Sequence, residues 1–460
     1  MSHDQDLLDQ IFITWRTNKN NSVVKKSASS NSRREFVKKT SGALLASTIS
    51  VNVFGKEVRK HRFNSDTLKV GLIGCGGRGT GAALQATKAD PNVVLTAMAD
   101  IFPDRLEQSY QNLLKENASK IQVDKDHMFI GFDGYKKVLE SDVDVVILAT
   151  PPSFRPGHLA DSVAAGKHIF CEKPVAVDAP GIRSVLETAK KAKEKGLALM
   201  SGFCWRHDNP KIETYDRILD GAIGDVLSIY NTYNTGALWY HEPKPEWSKV
   251  ETTLRNWLYY NWLSGDHIVE QAVHSVDLMS WALGDVLPLT ATATGGRQSR
   301  IEDQWGNVFD HFAVVYEYAN GVKGYHFSRQ QKGCSRAYGI EIIGDKGRCD
   351  IHVGNKHKII GKKDWSWEEK KEERNNMYQS EHDSLFASIR AGKPFFDGIK
   401  MANSTMLAIW GRMAAYTGQT ISWEEALNSE EVLAPPLDDY SWDMQWPLKE
   451  VARPGITKFV

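Results

Sequence analysis

Two stretches of this sequence carry side chains that can hold and pass protons, at spacings that would let them act together. The first is Glu172-Lys173-Pro174, which closes the apolar run Lys167-His168-Ile169-Phe170-Cys171. If that run is a parallel strand, its C-terminal end opens on the crevice where doubly wound sheets bind ligands, and Lys173 stands in it. There an ammonium would orient a hydroxyl and stabilise the alkoxide it becomes. A lone lysine before a loop proline, however, is by default an ordinary surface residue. The second stretch, Ser264 to Asp277 (SGDHIVEQAVHSVD), supplies partners. Read as one helix at about 100° per residue, it sets Glu270, His274 and Asp277 within roughly 60° of one another. Ala272, Val273, Val276, Met279 and Leu283 form an apolar stripe on the other side. An isolated histidine is more often structural. One with a carboxylate four residues earlier, placed to orient its ring, reads as a general base.

A third motif offers a nucleotide site. Gly74, Gly76 and Gly79 form G-x-G-x-x-G between the apolar run Leu68–Ile73 and a helical pattern from Thr80 to Ala89. Such glycines permit a tight turn and close backbone approach, and the helix N-terminus offers free N–H groups to a pyrophosphate. Asp100 ends a second apolar run 21 positions after Gly79, near the roughly 20 of a dinucleotide fingerprint. Its carboxylate would accept from ribose hydroxyls and repel a 2′-phosphate, so NAD is expected over NADP. The plainer alternative is that Asp100 caps the helix beginning near Pro103. Arg78, inside the loop, is expected to meet a phosphate, or a 2′-phosphate if NADP binds instead.

These motifs need rigid elements to hold them. From Leu68, apolar strands alternate with helical stretches: 68–73, 93–99, 127–130, 143–149, 167–171 and 197–201. Near-continuous apolar strands between helices imply a parallel sheet covered on both faces, an α/β doubly wound Rossmann domain over 67–203. Beyond Phe203 the strands lengthen and alternate, as in Asp310–Tyr318 before Asn320-Gly321, a strong hairpin signal. Others lie near 226–235, 289–295, 324–328 and 338–343. The second domain, 204–460, is therefore expected to be α+β with a large, mostly antiparallel sheet, and residues 380–418 to form helices packing back across the domains.

Residues 1–66 read differently. Ser32-Arg33-Arg34-Glu35-Phe36-Val37-Lys38 matches a twin-arginine export signal, followed by a mildly apolar stretch from Ser41 to Phe54 and a linker. That stretch is too short and polar to span a bilayer, so no stable membrane span is expected and a periplasmic location is. Lys plus Arg and Asp plus Glu balance at 57 each, which leaves no electrostatic footprint for nucleic acid. Cys75, Cys171, Cys204, Cys334 and Cys349 are scattered without metal-ligand spacing and read as buried thiols, with no metal expected.

Taken together, GCGGRG, Ala149-Thr150-Pro151-Pro152, AGKHIFCEKP and the acid-x-x-x-His helix resemble the Gfo/Idh/MocA family of sugar and cyclitol dehydrogenases, from Leu68 to about Ser429. The resemblance implies cofactor contacts from the loop (Gly77 and Arg78 included), Thr150, Pro151, His158, Glu172 and Lys173. It implies a substrate site from Lys173, Arg206, Glu270, His274 and Asp277, a carbohydrate-like substrate, and a homo-oligomer, dimer or tetramer. His274 would take the hydroxyl proton as hydride leaves the same carbon for the nicotinamide, with Lys173 steadying the oxygen. The family commonly has aspartate where Glu270 stands and glycine at Ala272, so the carboxylate is displaced by a methylene. Trp205-Arg206-His207 falls in a stretch that usually lines the family's substrate pocket. Nine Tyr or Trp residues from Tyr230 to Trp262 suggest a platform for a sugar or plain core packing, and Asp310-His311 and Ser328-Arg329 are further candidates for the pocket. A redox-neutral alternative, oxidation followed by elimination and return of the hydride, uses the same residues. An exported enzyme could not draw on free NAD, so the nucleotide is expected to stay tightly bound.

Overall fold

A computed structural model describes residues 66–352, 356–367 and 374–460. The expected signal at Ser32–Lys38 lies outside them. The first sheet has six parallel strands: β1 (Leu68–Ile73), β2 (Val93–Asp100), β3 (Met128–Ile130), β4 (Val145–Leu148), β5 (His168–Cys171) and β6 (Leu199–Ser201). They lie in the order β3-β2-β1-β4-β5-β6. The chain reverses direction across the sheet between β1 and β4, which is the switch point where such folds bind ligands. Helices α1 (Gly77–Ala89), α2 (Pro103–Asn117), α3 (Gly134–Glu140), α4 (Arg155–Ala164) and α5 (Ala179–Glu194) make the connections. Strand residues Val70, Leu72, Leu95, Val145 and Ile147 are buried to 1 % exposure or less, as a sheet covered on both faces requires.

After α6 (Asn209–Leu219) the second sheet begins with β7 (Val226–Thr235). Short helices α7 (Lys249–Arg255), α8 (Asn261–Ser264), α9 (His267–Glu270) and α10 (Val273–Ala282) follow. The sheet then continues with β8 (Thr290–Gly296), β9 (His311–Glu317), β10 (Lys323–Gln330), β11 (Ala337–Gly344), β12 (Gly347–His352), β13 (Lys356–Ile360) and β14 (Trp365–Trp367). With β15 (Ile421–Ser422) the order is β14-β13-β12-β11-β7-β10-β9-β8-β15, antiparallel except for β7 beside β10. The hairpin expected at Asn320-Gly321 joins β9 to β10, with Gly321 at φ 80°.

The domains do not part cleanly at residue 203. Helix α11 (Met377–Arg390) returns to the first domain, where Leu385, Phe386 and Ile389 enter the core with Leu68 and Ala82. Leu199 donates its N–H to Phe395. Helix α12 (Gly398–Thr417) is buried nearly throughout, in one apolar core with residues of α5, β8 and β9. Helix α13 (Trp423–Asn428) starts in a capping box of Ser422 and Glu425. Thus the helix pair expected to cross between domains does so, and the C-terminal ends of β1, β4 and β5 sit on a base shared by both. No helix among the described residues is long and apolar enough to cross a membrane.

Candidate active site

A cleft of about 1030 Å³ runs along the C-terminal ends of β1, β2 and β4. Its floor is Gly74, Gly76, Gly77, Arg78 and Gly79, with Asp100 at one side. Thr150, Pro151 and His158 line it from β4 and α4. Gly74 has φ 97°, and a Cβ there would lie 2.7 Å from the Ala149 carbonyl carbon. A Cβ on Gly79 would fall 1.9 Å from the Gly74 carbonyl oxygen, so both turn and helix approach require glycine. Before Gly77, by contrast, nothing lies within 4 Å. Helix α1 starts there with no side-chain cap, leaving a bare concave backbone with unsatisfied N–H groups. This cradle fits a dinucleotide pyrophosphate.

Asp100 does more than wait for a ribose. Its Oδ2 accepts from the Cys75 N–H at 2.7 Å and its Oδ1 from the Phe102 N–H at 2.9 Å, tying the glycine loop to the end of β2. Burial raises its pKa against those two hydrogen bonds. His158 is held between Tyr135 and Phe154, with Nδ1 3.2 Å from the Thr150 hydroxyl. Burial and nearby Arg155 push its pKa down to about 3, so it is neutral.

Arg78 lines the cleft, and its guanidinium donates to Glu172 and, at 3.3 Å, to Glu381 while lying over Tyr378. Two buried carboxylates thus pair with the one charged side chain of the loop. Glu172 also accepts from the Lys173 N–H, and neither Glu172 nor Lys173 lines the nucleotide cleft.

The helix expected across Ser264–Leu283 is instead broken. Helix α9 ends at Glu270, Gln271 takes φ −110° and ψ −54°, and α10 begins at Val273. Ala272 donates to the His267 carbonyl five residues back, and the His274 N–H reaches the Gln271 carbonyl at 3.4 Å. In a continuous helix the Glu270 carbonyl would accept from the His274 N–H. Here that carbonyl accepts from Lys173 Nζ at 2.6 Å. The break thereby frees one backbone oxygen to anchor the lysine. Behind it, Arg155 is 5 % exposed and donates to the Pro174 carbonyl, fixing the segment after Lys173.

Glu270 does not orient His274. Glu270 Oε2 and His274 Nδ1 are both buried, and neither has a hydrogen-bond partner among the described residues. The imidazole is held by stacking on Trp205 at 4.8 Å and the edge of Phe203 at 6.0 Å. Burial lowers the His274 pKa well below its ordinary value, with Lys173, Lys211 and Arg78 adding to it. Burial raises that of Glu270, against the pull of Lys173 and Arg155. A lysine, a neutral imidazole and an unsatisfied carboxyl oxygen thus gather at one helix break, a set that can bind a hydroxyl and remove its proton.

Arg206 and Asp277 are drawn into a different role. They form a bidentate pair (Nε to Oδ2 2.8 Å, Nη2 to Oδ1 2.8 Å), with Arg206 also on Asp285 and Ser404 donating to Asp277 at 2.7 Å. Asp277 is 1 % exposed, so its charge requires that arginine and is not free for substrate. Asp310 caps a loop through the Gln298 and Ser299 N–H groups and accepts from His311, Ser328 lies 3.2 Å from His267 Nε2, and Arg329 donates to the Ser335 carbonyl. These four serve the fold. Trp239, Trp247 and Trp257 line the same cleft as the glycine loop. Cys334 is exposed, on the loop between β10 and β11, whereas the other four cysteines are buried as expected. No group of three or more His, Cys, Asp and Glu among the described residues is placed to hold a metal. Sequence reasoning missed Arg155 and Glu381, which lie in ordinary helical patterns, and the pairing of Arg255 with Asp104, which lie 151 residues apart.

Residues 68–203 match the model described as an oxidoreductase family with an NAD-binding Rossmann fold, and residues 213–350 the GFO/IDH/MocA C-terminal domain, together more than half of the chain. An inositol 2-dehydrogenase of Rhizobium meliloti is 26 % identical over 283 residues, 61 % of this chain and 74 % of that one. A 2,7-anhydro-N-acetylneuraminate hydratase of Escherichia coli is 27 % identical over 179 residues, 39 % of this chain and 44 % of its own. Among solved structures, a levoglucosan dehydrogenase in complex with NADH and levoglucosan superposes with a TM-score of 0.60 at 18 % identity, covering 78 % of this chain and 99 % of that one.

The assignment of Arg206 to the fold has a measurable consequence. Arg206→Met should lower the unfolding free energy by about 3–5 kcal/mol, the usual effect of stranding a buried charge, as read by urea denaturation. Unchanged stability with a raised KM would return Arg206 to the substrate site.

Proposed function

The chain belongs to the Gfo/Idh/MocA family of NAD-binding oxidoreductases, and we propose that it moves a hydride between nicotinamide and a hydroxyl-bearing carbon of a sugar, sugar derivative or cyclitol. The observation that carries this reading is the pair of unpartnered buried atoms, Glu270 Oε2 and His274 Nδ1, beside an anchored Lys173. A substrate hydroxyl supplies what they lack. Bound NAD accepts or returns the hydride at its nicotinamide ring. The chain's residues do the rest. Lys173 keeps one N–H on the Glu270 carbonyl and offers the others to the substrate oxygen, stabilising negative charge as it develops. Neutral His274 takes the hydroxyl proton, and Trp205 stacked on it favours the imidazolium that results. Glu270, with its pKa raised, accepts a hydrogen bond from a neighbouring hydroxyl. The inositol and levoglucosan dehydrogenases among its relatives agree with a polyhydroxylated substrate. The relative named as a hydratase supports a second reading, redox-neutral cleavage through a transient ketone.

Asp100 favours NAD over NADP by like-charge repulsion of a 2′-phosphate. Arg33-Arg34 and the apolar stretch after them support export in the folded state with nucleotide bound, and the family resemblance supports a homo-oligomer. For the exported protein, acid extraction of periplasmic material purified without added nucleotide should release close to one NAD(H) per chain. Protein that stays in the cytoplasm, or is empty of nucleotide, contradicts this.

A panel of sugars and cyclitols, followed by nicotinamide absorbance and product mass together, tests the reaction. Net NADH with a ketone product is expected for a dehydrogenase, and cleavage without net NADH for the second reading. Neither signal on any polyol contradicts both. His274→Ala should reduce turnover by roughly two or more orders of magnitude, the scale of a positioned base, while nucleotide still binds.

The pH dependence follows from the lowered His274 pKa. Because the folded site resists protonation of this imidazole, the base form persists below about 6.5, the ordinary histidine value. The acid limb of kcat/KM for alcohol oxidation should therefore lie below that pH, and a limb centred at or above it would show that His274 is not the base.

A further inference from the structure

The indole that carries His274 also meets a buried cation. The imidazole stacks on Trp205 with ring centres 4.8 Å apart and planes 29° from parallel. Lys211, in the first turn of α6, places its Nζ over the same indole, 5.4 Å from the ring centre. Lys211 is 2 % exposed, and among the described residues it pairs only with Asp208, itself buried. Asp208 occupies the N-cap position of α6, where an aspartate ordinarily accepts from the N–H groups that follow. Here its side chain makes no such bond and takes the Lys211 ammonium instead. A buried ion pair adds little stability over apolar side chains of the same volume. Giving up a helix cap to form one therefore asks for a reason other than stability.

Several elements bring charge to this imidazole. Lys173 acts on it from the end of β5, Arg78 from α1 and Lys211 from α6, while Glu270 stands at the helix break before it. Asp277, on the same helix as His274, is paired with Arg206. Tyr338 of β11 lies against Trp205 at 5.5 Å and Tyr233 of β7 against Tyr338 at 4.5 Å, and burial raises the pKa of both hydroxyls. Lys173 and Arg78 are also bound elsewhere, to the Glu270 carbonyl and to Glu172. Lys211 meets only Asp208 and the ring that supports His274. Ammonium and imidazole lie no farther apart than their two distances to that ring together. This is roughly the 10 Å over which even exposed charges still interact in 0.1 M salt. An indole face attracts a cation, but with Lys211 already over it an imidazolium gains less. Burial is the first cause of the lowered His274 pKa, and Lys173 and Lys211 add to it. On β13, His357 shows the same pattern, with burial first and Lys211 next lowering its pKa to about 4.

We propose that Lys211 is a positioning residue for the base: acting through Trp205, its buried ammonium holds His274 neutral and so free to accept a proton. Lys211 does not line the nucleotide cleft. The inference rests on the reading of His274 as the group that takes the hydroxyl proton. Its sign is fixed, because a nearby cation disfavours the imidazolium. Removing that cation must raise the pH at which His274 titrates.

The test follows the imidazole itself in the full chain, labelled with carbon-13 at histidine Cε1 and read by NMR. His274→Gln identifies the signal by its loss. The titration is compared in the unmodified chain, in Lys211→Gln, and in Lys211→Met combined with Asp208→Asn, which leaves no stranded carboxylate. Both variants should move the midpoint up by about half a pH unit or more, roughly a threefold gain in proton affinity. Lys211→Arg should restore the original midpoint. Coincident titrations of all the chains, across the pH range in which they stay folded, would overturn the proposal. So would a loss of stability with the midpoint unmoved, which is the mark of a purely structural pair. The base reading is judged separately, from kcat/KM on a polyol that reacts, whose acid limb should rise with the midpoint. A midpoint that rises while the limb stays in place would contradict His274 as the base, and with it the role assigned to Lys211.

Discussion

The hydrogen bond from Lys173 Nζ to the Glu270 carbonyl is the constraint on which the site depends. It joins the end of a Rossmann strand to the second domain, and it exists only because the helix is interrupted after Glu270. A continuous helix would consume that oxygen internally. The interruption also explains why two buried atoms, Glu270 Oε2 and His274 Nδ1, remain without partners among the described residues. An unsatisfied buried polar group costs about 1–3 kcal/mol, a cost that a bound hydroxyl would relieve. Local disorder of the hydrogen-bond ladder, rather than any unusual residue, converts a lysine and a histidine from separate domains into one centre.

The surrounding charges add to burial in lowering the pKa of His274. Lys173 lies beside His274, opposing a second positive charge there, and burial acts in the same direction. Arg78 and Arg155 surround the lysine segment without touching the open face, each tied to Glu172 or to the Pro174 carbonyl. The nucleotide cleft is organised on the same plan. Asp100 holds the glycine loop before it meets any ribose, and Arg255 paired with Asp104 forms part of the adjacent wall.

Much of this was legible in the sequence because it is local. The strand–glycine–helix unit at 68–89, Asp100 at the end of β2, and Lys173 at the end of β5 follow from residue order and period alone, as does the Asn320-Gly321 hairpin. Strands β12 to β14 were not expected, being short and following a hairpin with no distinct signal. The break at Gln271 was invisible because Gln and Ala are good helix formers, and tertiary bonds to Lys173 override propensity there. Arg206 and Asp277 looked like site residues because both are polar beside the right motifs. That they neutralise one another depends on folding 71 positions of chain between them. A longer separation, 151 positions, hid the pairing of Arg255 with Asp104, although the crowd of Trp and Tyr from 230 to 262 marked its neighbourhood.

The claim that hydride transfer occurs at the anchored lysine is tested most directly by following one deuterium. NADH carrying deuterium at C4 would be loaded on the unmodified chain and on Lys173→Met, then mixed with oxidised forms of the sugars or cyclitols that react. Product mass would be read within a single turnover. The account predicts one deuterium on the new alcohol carbon for the unmodified chain. It predicts a transfer rate roughly two or more orders of magnitude lower for Lys173→Met, with NADH bound equally well by both. Transfer at an unchanged rate in Lys173→Met would contradict it.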